Sequence, residues 1–97
     1  MNTVNTEPQE FWMKFKTELE NNFTFPTEYT YKFILPTDTT KLKQLTTIFD
    51  GMKAIFSYRE SSTGKYTSIT IAAYHADADE IIECYKQAVL IEGIKSL

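Results

Sequence analysis

The chain is poor in the residues that build covalent or metal frameworks. It has one cysteine, Cys84, and one histidine, His75, in 97 residues. A single thiol closes no intrachain disulfide and builds no cysteine-based zinc site. Glycine and proline number three each, and there is no repeat, low-complexity segment or linker. No apolar run approaches the roughly 18 residues that span a bilayer. The first residues, Met1 to Pro8, carry neither a basic region nor an apolar stretch, so no signal peptide is expected and the cytoplasm is the default location. Excess positive charge is also missing. The net charge is −3 and the isoelectric point about 5.1, which argues against a nucleic-acid partner, because phosphate-backbone binding needs a basic footprint. What remains is ordinary for one globular domain: 42% apolar and 24% charged residues, with seven Phe, six Tyr and one Trp.

Periodicity places the elements. Thr6 is a good helix cap, with Pro8 in the first turn and Gln9 at the capping-box position. Phe11, Trp12, Phe15 and Leu19 then recur at helical spacing, which predicts an amphipathic helix of about 14 residues ending near Asn21–Asn22. Residues 23–28 read as a connector, held extended at Phe25 by Pro26. Tyr29 to Leu35 alternates as a strand, with Tyr29, Tyr31, Phe33 and Leu35 on one face and Thr30, Lys32 and Ile34 on the other. Asp38 can cap a helix carrying Leu42, Leu45, Ile48, Phe49 and Met52, with Gly51 as its stop. A second strand is expected over 53–60, a turn over 61–65 with Gly64 at a positive φ, and a third strand from Tyr66 to His75 with Ile69, Ile71 and Ala73 on one face. Asp77 and Glu80 resemble a cap and its third-position partner for a helix striped with Ile81, Ile82, Tyr85, Ala88 and Val89. Gly93 releases a final strand at 94–97.

That order, a helix followed by βαββαβ, points to an α+β ferredoxin-like fold. Two right-handed crossovers place both core helices on one face of a four-stranded antiparallel sheet in the order 4-1-3-2. The chain divides into an N-terminal extension, 1–24, and a ferredoxin-like domain, 25–97. The N-terminal helix is expected to lie across the open sheet face, with its aromatics on Ile34 and Ala72, or else to dock on a partner.

Several segments also resemble a known family: Phe25-Pro26-Thr27, Tyr31-Lys32, then Ser61-Ser62-x-Gly64-x-Tyr66-x-Ser68 and the strand after it, with Tyr85 and an ending right after the last strand. They make the chain similar to the YbeD-like family of small bacterial proteins, which carries a domain of unknown function. The resemblance implies the same ferredoxin-like fold, akin to the ACT regulatory domains, and no activity. ACT domains often pair in dimers, so a homodimer is among the expected assemblies. They mark an effector site with glycine where the first strand meets the first helix. Here that junction reads Leu35-Pro36-Thr37-Asp38-Thr39-Thr40, which tells against an amino-acid effector there.

Candidate chemistry is sparse. Cys84 and His75 are the only nucleophile and imidazole, and both read more simply as a small buried residue and a strand end. Asp77, Asp79, Glu80 and Glu83 read as dipole complement rather than a magnesium or calcium cage. Gly64-Lys65 lacks the P-loop pattern, although the turn's N–H groups beside Lys65 and Arg59 offer a place for an anion. Gly64 and Tyr66 echo an RNA-recognition strand, but Ser68 stands where a second aromatic is needed.

The expectation is therefore a non-enzymatic regulatory or adaptor domain without a cofactor. It would bind a protein partner or small effector through the open face and the 61–68 hairpin, with Lys32, Arg59, Ser61, Ser62, Gly64, Lys65, Tyr66, Ser68 and Thr70 as site residues. The alternatives are a small enzyme using Lys32, Arg59, Lys65 or Tyr66, and RNA binding on the same face.

Overall fold

Strand alternation sets the architecture. The computed structural model describes residues 9–97, so the expected cap at Thr6 and the proline at position 8 lie outside the described residues. In β1 (Thr27–Pro36) and β3 (Tyr66–His75), one row of side chains is sealed: Tyr31, Phe33 and Leu35 from β1, and Ile69, Ile71 and Ala73 from β3. The other row faces outward. A period of two on a half-buried sheet leaves no other arrangement. The two strands pair antiparallel at the centre, Tyr31 opposite Ile71 and Phe33 opposite Ile69. β2 (Ile55–Glu60) flanks β3, and the two-residue β4 (Lys95–Ser96) flanks β1, giving the order β2-β3-β1-β4. This is the expected ferredoxin-like order. The strand bounds shift slightly: β1 starts two residues before Tyr29, β2 starts at Ile55 rather than residue 53, and β4 is shorter than 94–97.

The sealed face is covered by α2 (Thr39–Ile48) and α3 (Ala78–Ala88). Asp38 Oδ1 accepts from Lys41 N–H at 3.0 Å, and Asp77 Oδ1 accepts from Glu80 N–H at 3.0 Å. Both carboxylates satisfy orphan donors and complement the helix dipole. Leu45 and Phe49 from the α2 side, and Ile81, Cys84 and Ala88 from α3, fill the core. At the end of the chain Gly93 has φ +84°, and a Cβ there would lie 2.9 Å from Pro36 Cγ. Only glycine fits that turn.

α1 (Gln9–Asn22) corrects an expectation. It does not lie over the open face on Ile34 and Ala72. It packs on α3 and so widens the helical layer. Phe15 meets Tyr85 edge-on with ring centroids 5.6 Å apart, Lys86 Nζ stands 5.4 Å from the Trp12 ring centre, and Lys16 pairs with Asp79 at 3.2 Å. Trp12 and Leu19 are the buried residues of this helix. The reason is chemical. The outward row of the sheet is mostly polar, whereas α3 still offers Tyr85, Ile82 and Val89, so an aromatic stripe removes more apolar surface from water on the helical side. Among the described residues no helix is long and apolar enough to cross a membrane.

Two outcomes test this arrangement. Ile71→Ala should lower unfolding free energy by about 2–5 kcal/mol, while Ser68→Ala on the outer row should cost under about 1 kcal/mol, both read from urea denaturation. Equal losses would mean that both rows are core. A chain starting at Asn22, if it folds, should show altered amide NMR shifts at Asp79, Ile82, Tyr85 and Lys86. Changes clustered at Lys32, Ile34, Ser68 and Thr70 would put α1 back on the open face.

Candidate functional site

The outer face of the sheet is a grid whose rows follow from the pairing. One row runs Ser57, Thr70, Lys32, since Thr70 lies opposite both of the others. The next runs Arg59, Ser68, Ile34, Lys95. Leu97 N–H donates to Lys32 O at 2.8 Å and extends the first row by one residue. Lys32, Arg59, Ser68 and Thr70 thus come together, as expected from sequence. With Ser57 and Leu97 they line a depression of about 400 Å³ that no described element covers. Two cations and three hydroxyls point into it, a donor set suited to oxyanions. Ser57 was missed from sequence although it alternates in phase with Arg59. Lys95 was missed because so short an edge strand gives almost no periodic signal.

The hairpin residues fare differently. Ser61, Ser62, Gly64 and Lys65 do not line that depression. Gly64 has the expected positive φ, +76°. Its N–H, however, donates to Ser61 O at 2.9 Å, Tyr66 N–H to Ser61 Oγ at 3.2 Å, and Lys65 N–H to Thr63 Oγ1 at 3.4 Å. The donors expected to meet an anion are spent inside the turn, because serine and threonine hydroxyls next to a turn satisfy its own backbone. Tyr66 instead borders a second depression beside the first, with Ile34, Pro36, Gly93 and Lys95, also of about 400 Å³.

The sealed face holds a polar chain that sequence reading did not assemble. His75 is fully buried, with Nε2 2.8 Å from Tyr31 Oη and Nδ1 3.2 Å from Glu80 Oε1. The partners assign the protons: Nδ1–H donates to the Glu80 carboxylate, and Nε2 accepts from the Tyr31 hydroxyl. Glu80 Oε1 also accepts from Ala76 N–H at 3.1 Å. The third-position glutamate therefore reaches one residue before the cap rather than the cap itself. The clue was parity, since His75 continues the row of Ile69, Ile71 and Ala73.

Burial pushes the Tyr31 hydroxyl well above the usual phenol range, and the Cys84 thiol up to about 11. Burial also raises Tyr85, whose hydroxyl lies 3.1 Å from that of Tyr29. Cys84 Sγ lies 3.7 Å from Met52 Sδ, and the imidazole is engaged by Tyr31 and Glu80, so His75 and Cys84 are not hydrogen-bonded to each other. The four acids near α3 are individually occupied: Asp77 caps, Asp79 pairs with Lys16, Glu80 holds His75, and Glu83 accepts from Gln87. Among the described residues no three His, Cys, Asp or Glu side chains are grouped to hold a metal ion.

With the geometry in hand, the chain can be set beside known proteins. A family model described as "Protein of unknown function (DUF493)" matches residues 20–97. Two solution structures of the protein HP0495 from Helicobacter pylori are similar in fold. One has a TM-score of 0.64 at 17% identity, covering 100% of this chain and 94% of that one. The other has a TM-score of 0.57 at 20% identity, covering 75% and 87%. No curated protein matches.

The raised thiol gives a pH prediction. The folded chain keeps the Cys84 proton after the unfolded chain has lost it near 9.0. Stability is therefore full below that pH and falls as pH rises toward about 11. Tyr31 and Tyr85 act in the same direction at higher pH. Urea midpoints should drop across this window, and Cys84→Ala should flatten the first part of the drop. A level profile from pH 8 to 11 would contradict the burial of these groups.

Proposed function

The chain belongs to the DUF493 family of proteins of unknown function, and for this member we propose a non-enzymatic regulatory or adaptor domain that binds a small effector through its open sheet face. The observation that carries the proposal is the uncovered depression in which Lys32 and Arg59 flank the hydroxyls of Ser57, Ser68 and Thr70. Binding sites pair a concavity with a few convergent polar groups, and these stand on paired strands, which hold them with little motion.

The reading as an enzyme draws less support. The thiol is sealed in the core, and Lys65 does not share the depression with Lys32 and Arg59. RNA binding would need a second exposed aromatic on β3 near Tyr66, and Ser68 holds that place. A second copy of the chain is the other partner that an observation favours. β2 is an edge strand, and its Ile55 and Tyr58 are 68% and 53% exposed, a surface that edge-to-edge pairing would cover. We also propose that the protein acts in the cytoplasm.

Titration of the full chain with pools of cellular metabolites, followed by amide NMR, is the test. Saturable shifts at Lys32, Ser57, Arg59, Ser68 and Thr70 are expected. Silence on this face across the pools, together with an empty pull-down, would overturn the proposal.

A further inference from the structure

The open face has a charge pattern opposite to that of the chain. The protein carries 13 acidic against 10 basic residues. In the outward rows of the four strands, however, the only acid among the described residues is Glu28. It lies opposite Tyr74 at the far end, two rows from Lys32. The cations Lys32, Arg59 and Lys95 occupy two adjacent rows.

Strands sit about 4.8 Å apart and alternate residues about 6.8 Å apart, which puts the Cα atoms of Lys32 and Arg59 roughly 12 Å from each other. Both side chains can therefore reach the space above Ser68 and Thr70 from opposite sides. Beside that space lies the second depression, where Ile34, Pro36 and the half-exposed ring of Tyr66 give an apolar floor. Gly93 forms its wall, and no Cβ fits there against Pro36. The two depressions meet at the row that carries Ser68 and Ile34.

We propose that this face binds a small organic phosphate monoester. The phosphate sits over Ser68 and Thr70 between Lys32 and Arg59, and the organic body lies on Ile34, Pro36 and Tyr66. This rests on the reading of the face as an effector site and adds the ligand's chemistry. A guanidinium, an ammonium and three hydroxyls supply more donors than the two oxygens of a carboxylate use, whereas the three terminal oxygens of a monoester engage them. A nucleic-acid backbone does not fit, because the basic zone covers only two rows of a sheet on a chain of net charge −3. The apolar neighbour explains why a bare phosphate is not the whole ligand. It would leave Tyr66 and Ile34 wet, and an attached ring would cover them.

The experiment is an amide NMR titration of the full chain at low salt with three probes: phenyl phosphate, inorganic phosphate and benzyl alcohol. Phenyl phosphate should shift Lys32, Arg59, Ser68 and Thr70 together with Ile34 and Tyr66. Inorganic phosphate should shift only the first four, and more weakly. Lys32→Gln and Arg59→Gln should each weaken phenyl phosphate by about tenfold or more, while Lys14→Gln on α1 should not. Tyr66→Ala should weaken phenyl phosphate and leave inorganic phosphate unchanged. These side chains face solvent, so the variants should keep the parent spectrum elsewhere. If benzyl alcohol shifts the face as strongly as phenyl phosphate, or if the metabolite pools shift it only through compounds without phosphate, the phosphate assignment is overturned while the effector site stands. If no probe and no pool shifts the face, both fall.

Discussion

Ten consecutive residue pairs join β1 to β3, from Thr27 opposite His75 to Pro36 opposite Tyr66, and everything else is placed by them. A slip of β1 by one residue would turn Tyr31, Phe33 and Leu35 toward solvent and drive Lys32 into the core. Burying one unpaired lysine costs more than any single contact here gains. The register is therefore set by the same alternation that sorts core from site, and the two faces of the sheet cannot be altered independently in register, only in side chain.

Within that register the Tyr31–His75–Glu80 chain acts as a polar pin. Apolar residues would fill the same volume, but they tolerate rotation and sliding. A tyrosine from β1, a histidine from the end of β3 and a glutamate from the first turn of α3, each with its partner satisfied, are compatible with one alignment of those three elements. No buried side-chain nitrogen or oxygen among the described residues is left without a partner. The pin ties the start of α3 to the sheet, and α3 in turn carries Tyr85 and Asp79, the seats of α1. The N-terminal helix is thus attached through a helix that the strands position first.

What could be read from the sequence follows the same division. Alternation and caps act between near neighbours, so the faces of β1 and β3, the caps Asp38 and Asp77, and the positive φ of Gly64 were all legible. The sheet order followed from them through chain topology. The seat of α1 was not legible. The stripe of Phe11, Trp12, Phe15 and Leu19 says that the helix must be covered, but the hydrophobic effect is non-directional and does not say by what. The hairpin failed for a different reason. Its residue types suit an anion nest, and equally suit a turn that satisfies its own N–H groups, and the two differ only in how the folded turn directs its hydroxyls. Of the expected site, Lys32, Arg59, Ser68 and Thr70 share one depression because alternation puts them on the same face and the strand pairing brings them into adjacent rows. The hairpin members were grouped with them by sequence proximity, which is not proximity on a sheet.

The location of the site has a thermodynamic logic. Residues on the uncovered rows contribute little to stability, so their chemistry can change at little cost to the fold, while the backbone beneath Lys32, Ser68 and Thr70 belongs to the two strands that are paired on both sides. A cation on a loop loses conformational entropy when it binds. Lys32 and Ser68 stand on the two central strands, whose backbone is already ordered by the core on the other side. Under the proposed reading, the net negative charge then sharpens the choice of ligand. Long polyanions meet repulsion from the surrounding acids, but a compact anion that fits within two rows meets mainly Lys32, Arg59 and Lys95. A small acidic protein can in this way be selective for a small anion through where its few cations are held.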